Sequence, residues 1–161
     1  MKSIFAVILS LSLAVGGLMP SFAAGPDHFK LYSKPGKYED VKFDIEMAIT
    51  SRGLVVDHTA HIGAMLERTG KDLGTTKPIY GDAGSMQFCS AVVSRKTMEA
   101  DPTNIVFCPY IIIYYTLHDD PKTVYVGYRR PLPTGSAASK KTLADVEKLL
   151  DGIVKEALNI K

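Results

Sequence analysis

The stretch Ile105-Val106-Phe107-Cys108-Pro109-Tyr110-Ile111-Ile112-Ile113-Tyr114-Tyr115-Thr116-Leu117 decides the fold. β-Branched and aromatic side chains fill it, and these suit a pleated, half-buried surface. It is the strongest strand signal in the chain, with Pro109 marking a bulge or a sheet edge. His118-Asp119-Asp120-Pro121-Lys122 follows as a turn cluster, where Asp119-Asp120 is turn chemistry rather than a catalytic carboxylate pair. Thr123 to Arg129 returns as a partner strand, so the two runs predict a hairpin. Alternation puts Tyr110, Ile112 and Tyr114 on one face and Ile111, Ile113 and Tyr115 on the other. Both faces are partly apolar. That predicts a sheet covered on both sides, with a partner subunit as one cover.

Toward the N-terminus, Met86-Gln87-Phe88-Cys89 reads as another strand, and Ser90 is placed to cap a helix through Ala100. Asp101-Pro102 stops that helix. Ile79 to Ala83 reads as loop. Ile62 to Leu73 is weakly helical, and Gly63, Gly70 and Gly74 predict that it is short or irregular. Leu54-Val55-Val56 begins a strand. Tyr38, Val41, Ile45, Ala48 and Ile49 recur at helical spacing, with Glu39 and Asp40 in the first turn and Gly53 closing the end. Phe29 to Ser33 alternates as a short strand. Beyond the hairpin, residues 132–141 are a Pro-, Gly-, Ser- and Ala-rich linker. Thr142 and Asp145 open a last helix over 142–160 with a capping-box pattern, and Leu143, Val146, Leu150 and Ile153 stripe one side of it. The order β-α-β-(α)-β-α-β-β-α makes residues 29–131 one α+β domain, a mainly antiparallel sheet with packed helices.

The chain has 161 residues, suited to one domain, and its 46% hydrophobic and 22% charged residues exclude intrinsic disorder. A net charge of +2 with no tryptophan gives no electrostatic case for nucleic acid. Residues 1–23 stand apart. Lys2 precedes an apolar run from Ile4 to Leu18, Pro20 breaks it, and Ser21-Phe22-Ala23 supplies small residues for cleavage after Ala23. This is a secretory signal pattern, too short for a bilayer span of about 20 residues. It predicts a periplasmic or secreted protein, not membrane-embedded after cleavage.

An oxidising compartment bears on the two cysteines. Cys89 and Cys108 share the context Phe-Cys and lie 19 residues apart, which fits neither a Cys-x-x-Cys motif nor a zinc knuckle. A helix running back about 16 Å from Cys89, and a strand advancing about 10 Å to Cys108, return the pair to similar height. On neighbouring strands a disulfide is in reach. Three assignments stand: a structural disulfide, two free buried thiols, or a redox or metal pair. Cys89 directly precedes a helix start, where the dipole favours a thiolate.

His58 and His61 share a face only if their segment is helical. Met65 and the cysteines would then be soft ligands for a metal ion such as copper, which no spacing rule supports. No cofactor is otherwise expected. Arg129-Arg130 at a strand end is a candidate anion site. Tyr110, Tyr114, Tyr115, Tyr125 and Tyr128 crowd the hairpin as core aromatics with wet hydroxyls. Neither a Ser-His-acid spacing nor a Gly-rich phosphate loop is recognisable.

Tyr38-Glu39-Asp40, Arg52-Gly53-Leu54, Lys71-Asp72-Leu73-Gly74, Phe88-Cys89-Ser90, Asp101-Pro102, Cys108-Pro109-Tyr110 and Arg130-Pro131 occur in a familiar order. Over residues 38–131 the chain resembles the domain of unknown function 302 family. The resemblance implies a compact α+β domain that forms homodimers, and no established activity or cofactor. The export signal and the C-terminal helix look like additions to the minimal domain. Where family members carry Asn-Pro after the first cysteine, this chain has Ser90-Ala91. Members often have Pro before the second cysteine, where this chain has Cys108 before Pro109. The expectation is an exported, non-enzymatic domain binding a small molecule or a protein, the alternative being a thiol-redox or metal-handling protein using Cys89 and Cys108.

Overall fold

The computed structural model describes residues 27–161, so the expected signal segment lies outside the described residues. In chain order the elements are β1 (Phe29–Pro35), α1 (Tyr38–Thr50), β2 (Val55–Ala60), α2 (Ile62–Asp72), β3 (Tyr80–Cys89), α3 (Ala91–Ala100), a 3-10 helix (Pro102–Phe107), β4 (Tyr110–Leu117), β5 (Thr123–Arg129) and α4 (Ala137–Leu158). The strands form one sheet in the order β1-β5-β4-β3-β2, every neighbouring pair antiparallel. The α+β class and the hairpin stand as read. Among the described residues no helix is long and apolar enough to cross a membrane.

One row of each central strand makes the core. Tyr110, Ile112 and Tyr114 of β4 are buried beside Val124, Val126 and Tyr128 of β5. Against them lie Val41, Ile45 and Ile49 of α1 and Val146, Leu150 and Ile153 of α4. The opposite row of β4, Ile111, Ile113 and Tyr115, stays half exposed. The expected cover on both sides is thus seen on one face only among the described residues, because α1 and α4 pack against the same row.

Several boundaries differ from expectation. The run from Ile105 is not strand until Tyr110. Asp101 accepts from the Thr103 backbone N–H and hydroxyl and starts a 3-10 helix. Buried Asn104 then pins that helix by donating to the Thr97 carbonyl and the Ser139 hydroxyl. Capping and one buried amide override the β propensity of Ile105 and Val106. Pro109 is no bulge; it precedes β4, after a cis Cys108–Pro109 bond. Residues 80–83 are strand rather than loop, paired irregularly with β4, and the Asp82 N–H donates to Thr116 Oγ1.

The last helix begins at Ala137, not Thr142. Gly135 turns the chain at φ +76°, and the Ser136 oxygen accepts from the Ser139 N–H. Thr142 sits inside the helix with its hydroxyl on the Ser139 carbonyl, so there is no capping box there. The Ser90 cap on α3 is present, accepting from the Val93 N–H at 3.3 Å.

Candidate functional site

Two places combine chemistry with access. The first is the end of β3 and the entry to β4. Phe88 pairs with Tyr110 across these strands, so Cys89 and Cys108 meet at one end of the ladder. Their Sγ atoms lie 2.9 Å apart, and both residues are half-buried. Burial, then the sulfur–sulfur contact and the Cys108 and Asp57 charges, push the Cys89 thiol up to about 12. Desolvation of a half-buried thiol facing a second sulfur opposes the thiolate that the helix start would favour.

The second place is a cleft of about 620 Å³ between the start of α1, α2 and the start of β3. Glycines build it. A Cβ at Gly63 would come within 3.0 Å of the Ala83 nitrogen, and one at Gly70 within 2.7 Å of the Thr75 carbonyl oxygen. Both positions let α2 and the segment after it close up, so these glycines seat a regular helix rather than shorten it. Gly74 turns the chain at φ +69°. Tyr38, Lys42, His61, Lys71, Asp82 and His118 face the cleft. Lys42 is bound to Glu39 at 2.9 Å. The Tyr38 phenol is raised, first by burial and then by the neighbouring Tyr114 and Asp82.

The other sequence candidates separate. His58 lies on β2 opposite Gln87, after a register shift at Asp57, whereas His61 precedes α2. Strand and helix therefore divide a pair that needed one helix. Met65 is exposed, its sulfur 3.9 Å from Thr69 Oγ1. Among the described residues no group of three or more His, Cys, Asp and Glu side chains converges as a metal site. Arg129 is exposed opposite Phe29. Arg130 already holds an anion of the chain itself, Glu147, at 2.7 Å, and donates to the Asp27 carbonyl at 2.9 Å. Of the cleft residues only His61 stood out in the sequence, as a metal candidate. Tyr38 and Lys42 on α1, Asp82 on β3 and His118 after β4 come from three separate segments and share no local motif.

A family model described as "Domain of unknown function DUF302" matches residues 29–157. The chain belongs to the DUF302 family. The match takes in α4, so that helix is part of the DUF302 domain and not an addition to it. The crystal structure of an uncharacterized conserved DUF302 protein from Bacillus stearothermophilus is similar at TM-score 0.68. It shares 14% identity, covering 82% of this chain and 99% of that chain, and so shows the DUF302 fold alone. The comparison with curated proteins returned no match.

Proposed function

We propose that this chain is an exported binding domain that holds a small polar molecule in the cleft beside α2, with no catalytic role for that cleft. The cleft itself carries the proposal: its volume falls in the range of about 300–1,000 Å³ usual for ligand sites. Its side chains bring both signs of charge, Lys42 and Lys71 with Asp82, and two imidazoles, His61 and His118. A molecule carrying both charges matches that lining. The leader pattern of residues 1–23 supports a periplasmic or secreted location. Titration with amino acids, nucleotides and sugar phosphates, followed by backbone amide shifts, tests it. A ligand is expected to move Gly63, Gly70 and Asp82, and His61→Ala to weaken it about tenfold, the worth of one good polar contact. A panel that moves none of these amides overturns the proposal.

A second copy on the open sheet face is the partner the surface favours. Tyr115 stacks on Tyr125 at 5.1 Å, and Tyr80 meets Tyr115 edge-on at 5.3 Å. Leu31 and Ile113 continue this apolar surface, and β4 carries no charged side chain. The apolar centre of this face can match its own copy across a two-fold axis, with exposed Arg129 of β5 at its rim. Sedimentation equilibrium distinguishes this homodimer from a monomer.

A further inference from the structure

We propose that Cys89 and Cys108 form a thiol–disulfide exchange site for a protein disulfide carried in an apolar segment. Two independent observations meet here. The first is the pair itself, two half-buried thiols 2.9 Å apart at the end of the sheet, where closing a bond needs little movement. The second is what surrounds it. Val55, the cross-strand partner of Cys89, is 70% exposed. Val92, in the first turn of α3 three residues after Cys89, is 65% exposed. Ile105 and Val106, on the 3-10 helix leading into Cys108, are 60% and 76% exposed. Four exposed aliphatic side chains on the segments that adjoin the two cysteines give the dithiol an apolar collar, which glutathione, small and charged, does not need. An apolar peptide on either side of a disulfide would cover it.

The exchange balances in two steps. Cys108 loses its proton, and its sulfur attacks one sulfur of the incoming disulfide. A mixed disulfide forms, and the other incoming sulfur leaves with the electron pair and takes up that proton. Cys89 then loses its proton and attacks Cys108 Sγ. The Cys89–Cys108 bond forms, the mixed disulfide breaks, and the second incoming sulfur leaves as a thiol. The protein dithiol is oxidised by two electrons and the incoming disulfide is reduced by two. Cys108 follows Ile105 and Val106, both exposed, which places it first in the path of an incoming apolar segment.

The test uses the exported protein in reduced form and two probes, glutathione disulfide and a leucine-flanked peptide with one intramolecular disulfide. Alkylation and intact mass follow the thiols. The peptide is expected to convert both cysteines to a bond that dithiothreitol reopens in the folded protein. Cys89→Ser is expected to accumulate the mixed disulfide with the peptide, and Cys108→Ser about a tenth as much or less. Val92→Ser and Val106→Ser, both at exposed sites, are expected to slow the peptide about tenfold and to leave the glutathione rate within about twofold. Two alkylatable thiols after incubation with the peptide overturn the proposal. So does a bond that dithiothreitol opens only after unfolding, which is a structural staple. Collar variants that slow both probes equally, or neither, overturn the protein partner. None of these readouts depends on the cleft beside α2.

Discussion

The hydroxyl of Tyr32 lies 2.6 Å from Oδ1 of Asp151, which joins the edge strand β1 to the last helix. Tyr128 donates to the same oxygen at 2.9 Å, and Lys155 reaches the other at 3.2 Å. Burial alone would raise the Asp151 carboxyl. The hydrogen bonds from Tyr32, Tyr128 and Lys155, with the Lys30 charge, outweigh it and hold the group at about 2. A depressed carboxyl contributes stability that is present above its ordinary value of 3.8 and lost as pH falls through about 2. Asp151→Asn is therefore expected to cost about 1–3 kcal/mol at pH 7. In urea midpoints measured from pH 7 downward, the gap to the natural protein should close below pH 4.

Gly127 of β5 lies opposite Leu31 on β1, and an added Cβ there would strike the Lys30 carbonyl oxygen. Gly127→Ala must push the edge strand away. A loss of about 1–3 kcal/mol is expected, read as a lower urea midpoint, with the amides of β1 exchanging faster.

Asn104 is the buried link between α3, the 3-10 helix and α4. Asn104→Ala leaves the Thr97 carbonyl and the Ser139 hydroxyl without this partner, at a cost of about 1–3 kcal/mol. Hydrogen exchange should rise at residues 102–108 and at the start of α4, and stay unchanged in β1.

Closing Cys89 to Cys108 ties off the segment that holds α3 and the 3-10 helix. In the chain-entropy model such a loop stabilises by about 3 kcal/mol. Oxidised protein should show the higher urea midpoint, and Cys89→Ser with Cys108→Ser should make the midpoint independent of reductant.

Ile113 faces away from the core, beside stacked Tyr115 and Tyr125. If the proposed homodimer uses this face, Ile113→Lys should leave only monomer in sedimentation while changing monomer stability by less than about 1 kcal/mol. A dimer that survives the lysine places the interface elsewhere.

Periodicity was enough for α1, the β4–β5 hairpin and the apolar stripe of α4, because each buries a regular face. It failed where one side chain governs a turn. Ile105-Val106-Phe107 has strand composition, yet Asp101 and Asn104 wind it into a 3-10 helix through contacts with Thr97 and Ser139. It failed again at residues 80–83, where Gly81 and Asp82 have little strand propensity and β4 supplies the pairing. The nearness of the two cysteines was legible, since helix and strand rises alone return them to one level. The cleft was not, because it joins α1, α2, the start of β3 and the turn after β4, and no local pattern spans such distances.

The last helix fills the core opposite the sheet, and the first strand pairs with the last. The consequence concerns the order of synthesis. While α4 is unmade, the buried row of β4 and β5 has lost its larger cover, and β1 waits for a neighbour made near the end. A nascent chain of this protein thus keeps its β1 edge unpaired until β5 is made, and the buried row of β4 and β5 half-covered until α4 is made.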